Sequence, residues 1–223
     1  MSDKTAIVFG AGGGIGAALA EALGDTHRVI ALSRRSDPPI ELTDEATIAA
    51  AADALPEAAL MVDCTGFLHD DRFGPEKSWK QLSADSLAHN FAINTIGPAL
   101  LMKHFLPKLP RDAPAVFATL SAKVGSIADN GYGGWYGYRA SKAALNQIVK
   151  TASIELARKW KQAALVAVHP GTVDTPLSQP FSKAGLSVRP PEEAAREIAR
   201  LLLSLDAGSN GRFLSYDGSE LPW

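Results

Sequence analysis

Ala6-Ile7-Val8-Phe9-Gly10-Ala11-Gly12-Gly13-Gly14-Ile15-Gly16 is the stretch on which the fold turns. Four apolar residues run directly into five glycines among seven positions, and a helical pattern over residues 15–23 follows at once. An apolar run of this length reads as a buried strand, and the pattern after it as the helix leaving the turn. A tight turn needs one or two glycines. Five of them let the backbone approach a ligand closely at a helix N-terminus, where unpaired N–H groups and the positive end of the dipole bind phosphate. The glycines are not followed by Lys-Ser or Lys-Thr, which argues against a P-loop.

Working outward, further short apolar runs stand at residues 28–32, 59–62, 115–120, 165–168 and 212–214. Helical patterns lie between them at 45–54, 83–105, 138–160 and 192–205. This alternation predicts βαβ units and an α/β fold with a parallel sheet covered on both faces. Pro190-Pro191 followed by Glu192 and Glu193 marks a helix start. The 223 residues suit one domain over 1–223 and leave little for a second core. Charged residues nearly balance, with a formal net charge of -2 and no dense basic block, so phosphate-driven nucleic-acid binding is disfavoured. Cys64, the single cysteine, excludes an intrachain disulfide, and neither it nor the scattered histidines have metal-ligand spacing. No signal peptide or apolar span of membrane length is evident, so a cytoplasmic protein is expected.

Cofactor choice is read at the end of the second strand, where an acidic residue would bind the ribose hydroxyls of NAD. Here the strand ends Leu32-Ser33-Arg34-Arg35. With no carboxylate to repel a 2′-phosphate and two guanidiniums able to grip one, NADP(H) is expected over NAD(H). Further on, Tyr138 and Lys142 are four residues apart at the start of a helical pattern, which places phenol and ammonium on one face. A neighbouring cation favours phenolate and would lower a pKa of about 10, making Tyr138 a proton donor and acceptor.

The pair follows Leu120-Ser121-Ala122-Lys123-Val124-Gly125-Ser126, and with the glycine turn the set resembles the short-chain dehydrogenase/reductase family nearly end to end. The matching elements are Gly10, Gly14, Ile15 and Gly16 at the turn, where Gly12 and Gly13 are also expected to bind cofactor; Cys64-Thr65-Gly66; Asn94 in Ile93-Asn94-Thr95; the serine segment; Tyr138 and Lys142; and Pro170-Gly171-Thr172-Val173-Asp174-Thr175. Residues 124–138 and 217–223 are similar to small bacterial members related to C-factor and to sniffer-type carbonyl reductases. The resemblance implies a doubly wound Rossmann fold with a mostly seven-stranded sheet. It implies hydride transfer between NADP(H) and a small carbonyl or alcohol, with Tyr138 moving the proton. Lys142 would hold the nicotinamide ribose, and Asn94 would position a water. Glu41 and Leu42 would lie along the adenine, and the stretch with Thr172 and Thr175 would meet the nicotinamide end and pyrophosphate. Family members commonly form homo-oligomers through the helices expected at 83–105 and 138–160.

Three departures from the family pattern stand out. The family places its catalytic serine three residues before a glycine; counting back from Gly125 gives Ala122, so Ser121 is the candidate and Ser126 the second choice. Phe9 replaces a usual threonine, and the usual Asn-Asn-Ala-Gly reads Asp63-Cys64-Thr65-Gly66. Substrate choice is expected from the loops 66–79, 125–137 and 175–188. Trp135 and Tyr136 suggest an apolar or aromatic carbonyl pocket under a lid that begins at Thr175. Two other readings compete: a dinucleotide-binding signalling protein with weak catalysis, which Ala122 favours, and a sugar-nucleotide epimerase, for which the residues after Thr175 are too few.

Overall fold

The strands form because their residues are covered on both sides, and the alternation along β1 (Thr5–Phe9) shows it. Ile7 and Phe9 point into one core layer with Phe105, Phe117 and Leu165; Ala6 and Val8 point into the other with Leu19, Leu23, Val62 and Val166. The computed structural model describes residues 4–181 and 188–223. In chain order the elements are β1, α1 (Gly14–Gly24), β2 (Arg28–Leu32), α2 (Glu45–Ala54), β3 (Leu60–Asp63), α3 (Ala84–Phe91), α4 (Gly97–Phe105), β4 (Ala115–Leu120), α5 (Tyr136–Lys159), β5 (Ala163–His169), α6 (Pro191–Ser204) and β6 (Phe213–Ser215). The sheet order is β2-β1-β3-β4-β5-β6, every pair parallel. Helices α2, α4 and α5 cover the Phe9 face, and α1 and α6 the Val8 face.

The chain reverses its winding between β1 and β3, so their carboxyl ends open a crevice beside the glycine turn. Among the described residues no helix is long and apolar enough to cross a membrane.

Two expectations need correction. The sheet has six strands among the described residues, not seven. Between β2 and α2 the chain passes through Pro38 and Pro39, which have no N–H to give to a ladder. It makes one bond back, Ile40 N–H to Ser33 O at 3.0 Å, and then enters α2 at the Asp44 cap. The helix expected over 83–105 is also interrupted. Ala92–Ile96 forms a π turn between α3 and α4, where Pro98 cannot donate to the carbonyl of Asn94.

Candidate active site

The glycine turn is built by backbone contact. Gly10 takes φ +74° and accepts from Gly13 N–H at 3.0 Å, while Ala11 N–H reaches Leu32 O at 3.0 Å. A side chain at Gly16 would overlap the Gly10 backbone oxygen, so the helix seats directly on the turn. Helix α1 starts at Gly13 with neither a capping side chain nor an acidic residue in its first turn, and Gly12 and Gly13 are exposed. That N-terminus is uncompensated, and the donor set fits a pyrophosphate.

Above it lies a cavity of about 380 Å³ that joins distant parts of the chain. Gly12, Gly13, Gly14, Ile15 and Gly16 line it with Cys64, Thr65, Gly66, Ser121, Tyr138, Lys142, Pro170 and Thr175. Leu120, Pro176 and Leu177 complete the lining; Pro176 and Leu177 belong to the loop expected over 175–188, whereas Leu120 was not singled out. Beneath, Asp63 is buried and accepts from Thr65 N–H (2.9 Å), Thr65 Oγ1 (2.5 Å) and Thr119 Oγ1 (2.6 Å). Burial pushes the Cys64 thiol well above its usual range, with the Asp63 charge adding to it, which disfavours the thiolate.

Tyr138 stands in the first turn of α5, because the helix begins two residues earlier than the periodicity suggests. Burial pushes its phenol up to about 12. Lys142 is pushed down to about 8, again by burial, with the Asp63 charge opposing the shift. The tyrosine is therefore raised by desolvation rather than lowered by the lysine as expected. Lys142 Nζ instead donates to Leu120 O at 2.8 Å.

Asn94 is fully buried behind the cavity and ties three segments together. Its Oδ1 accepts from Phe67 N–H at 2.7 Å, and its Nδ2 donates to Phe67 O at 2.8 Å and to Ser141 Oγ at 3.1 Å. Ser121 Oγ donates to Asn146 Oδ1 at 2.6 Å, and the buried Asn146 Nδ2 has no partner among the described residues. Ser126 is held elsewhere: its hydroxyl donates to Trp223 O and accepts from Asp129 N–H. Ala122 is buried.

The remaining expected residues surround this centre. Ser33 lies at the end of β2 beside Gly12, and Arg34 and Arg35 beyond it are exposed and make no ion pair among the described residues. Glu41 receives Thr43 N–H and Oγ1, and Leu42 is buried against Gly97. Gly171, Thr172 and Val173 are fastened to Arg189, whose guanidinium donates to Pro170 O, pairs with Glu197 and covers the Tyr216 ring. Of the loop expected over 175–188, residues 182–187 lie outside the described residues.

Comparison with known proteins agrees with this architecture. Residues 39–218 match a family model described as Enoyl-(Acyl carrier protein) reductase. The chain is 35% identical over 137 residues to C-signal of Myxococcus xanthus, covering 61% of this chain and 78% of that protein. It is 29% identical over 191 residues to 1-hydroxy-2-glutathionyl-2-methyl-3-butene dehydrogenase of Rhodococcus sp. (strain AD45), covering 84% and 80%. In fold it is similar to carbonyl reductase Sniffer of D. melanogaster, with TM-score 0.85, 21% identity and 100% of both chains covered. It is likewise similar to an NADPH-bound carbonyl reductase from chicken fatty liver, with TM-score 0.86, 24% identity and 100% and 95% covered. The match over most of the chain, together with these relatives, places the chain in the short-chain dehydrogenase/reductase family of oxidoreductases.

Proposed function

We propose that this protein is an NADPH-dependent reductase of small carbonyl compounds, also able to run in the alcohol-oxidising direction, with Tyr138 as general acid and base. The observation that carries the reading is one cavity in which Tyr138, Lys142 and Ser121 stand opposite an uncompensated, glycine-lined helix N-terminus. When bound, the nicotinamide dinucleotide supplies the hydride. The chain supplies binding, orientation and the proton. The N-terminus of α1 receives the pyrophosphate, with Thr175 across from Gly14. Arg34 and Arg35 hold the 2′-phosphate, since no acidic side chain ends β2.

A phenol pushed up to about 12 keeps its proton at neutral pH, which suits a donor to a carbonyl oxygen. Lys142, fixed by Leu120 O, adds a positive charge beside the developing alkoxide and the ribose. Asn94 uses its side chain to fix the loop at Phe67 and helix α5 at Ser141. Its main-chain carbonyl, which Pro98 cannot bond, holds the water that returns a proton to the site. Ala122 leaves a methyl where the family has its serine, so Ser121 takes part only after turning its proton away from Asn146.

The test is NADPH oxidation against a panel of carbonyl compounds, with Tyr138→Phe as control. Tyr138-dependent turnover supports the reading, and its absence on every carbonyl overturns it. Comparing Ser121→Ala with Ser126→Ala assigns the serine; equal, unaltered rates remove both. Similarity to C-signal and the Ala122 methyl favour a second reading, a dinucleotide-binding signalling protein with weak catalysis. NADPH binding without Tyr138-dependent turnover distinguishes it.

A further inference from the structure

Trp135 precedes α5 and is, among the described residues, the one non-glycine residue with positive φ, +54°. Bulky side chains rarely hold this left-handed conformation unless the surroundings impose it, and such residues cluster at functional sites. What imposes it here is Glu76. Its main-chain oxygen accepts from Trp135 N–H at 2.5 Å. Its carboxylate, 5% exposed, accepts from Gly137 N–H at 3.1 Å and from Ser86 Oγ at 3.3 Å. Since Trp135 provides no side-chain cap, this buried acid from a distant loop caps the helix that carries Tyr138. Gly137 leaves room for it; a Cβ there would stand 3.1 Å from Glu76 Oε1 and 3.0 Å from Asn90 Nδ2, closer than ordinary van der Waals contact, so both would have to shift.

The consequence is an aromatic wall beside the proposed proton donor. The Trp135 ring stands 6.1 Å from Tyr138 and 5.4 Å from Phe181, both edge to face. Phe181 in turn stands 5.2 Å from His69, whose Nε2 lies 3.1 Å from the oxygen of the cavity-lining Pro176. We propose that Trp135 and Phe181 form an aryl-recognition subsite over Tyr138, and that Glu76 is the positioning residue that sets its selectivity. A planar aromatic carbonyl can extend the edge-to-face series, whereas a saturated ring of equal size offers bulk without a quadrupole.

This inference takes the carbonyl position from the reductase reading, but its test does not need turnover. Acetophenone and cyclohexyl methyl ketone are titrated by calorimetry into the protein with and without NADP+. Acetophenone binds about three- to tenfold tighter in the unaltered protein. Trp135→Leu, which keeps apolar bulk, removes the preference. Glu76→Ala reduces it in the same direction, while Glu76→Gln, which keeps an oxygen for Gly137 N–H, retains it. Ser86→Ala, a milder loosening of the same carboxylate, also reduces it and serves if Glu76→Ala does not fold. Equal or absent binding of the two ketones in the unaltered protein, or a preference that survives Trp135→Leu, overturns the subsite. A preference that survives both Glu76→Ala and Ser86→Ala overturns the role of Glu76. Aryl-selective binding without turnover overturns the reductase reading alone.

Discussion

The glycine turn lines the cavity from Gly12 to Gly16, whereas the aromatic wall touches it through Tyr138 alone, and the two are built in opposite ways. The turn is seven consecutive residues whose chemistry is backbone: N–H groups, a helix end and a glycine that a side chain would jam. The wall draws His69, Trp135, Tyr138 and Phe181 from three separate segments, and its chemistry is side chain throughout. A phosphate-binding device can be written in a contiguous stretch because a helix N-terminus carries its own field. A device for recognising a carbonyl compound needs groups on several sides of the reacting atom, so only the folded chain assembles it.

If the two halves divide the work in this way, changes on each side should separate binding of the dinucleotide from chemistry. The largest effect is expected from Tyr138→Phe. Loss of the proton donor should lower carbonyl turnover by about 10²- to 10⁴-fold while leaving the Kd for NADPH, read by fluorescence, within about twofold. A matching loss of NADPH affinity would break the division.

Arg34→Ala tests the other half. A lost charged contact to the 2′-phosphate should raise the Kd for NADPH by about 10- to 100-fold and leave that for NADH unchanged. Gly16→Ala should act through packing, costing about 1–3 kcal/mol as the new methyl meets the Gly10 oxygen. Thermal denaturation should show it as a Tm lower by about 2–4 °C per kcal/mol in a chain of this size.

The smallest expected effect is in pH dependence. With Lys142 at about 8 and Tyr138 at about 12, kcat/KM for NADPH should be level near neutrality. It should fall above about pH 8 as the ammonium is lost, and Lys142→Arg should move that limb to higher pH. Stability carries the opposite sign. Between about 8 and the ordinary lysine value of 10.5, the unfolded chain binds a proton that the folded chain has released, so this group's contribution rises with pH across that window.

Much of this architecture can be read from residues alone. Strand β4 and helix α2 fall where the apolar runs and periodicity place them, because burial on both faces and a stripe of alanines are local patterns. The breaks are less legible. A continuous helix over 83–105 fits the periodicity, yet Pro98 deprives Asn94 of its bond and the helix opens into a π turn there. The seventh strand came from the family resemblance and from no apolar run of this chain; the six runs match the six strands, and between β2 and α2 Pro38 and Pro39 have no N–H for a ladder.

The roles of Glu76 and Asn146 had no sequence signal at all. Neither lies in a motif, and each matters through one partner far along the chain: Gly137 for Glu76, Ser121 for Asn146.

The sequence by itself therefore determined the α/β class, the glycine turn at a helix N-terminus and the placing of Tyr138 and Lys142 on one helix, since strand burial, helix ends and a four-residue helical spacing are properties of contiguous chain. Tertiary structure decided the electrostatics and the setting of helix α5. Burial, which no local pattern encodes, raises the tyrosine and lowers the lysine, and a buried acid 61 residues before Gly137 sets how helix α5 begins.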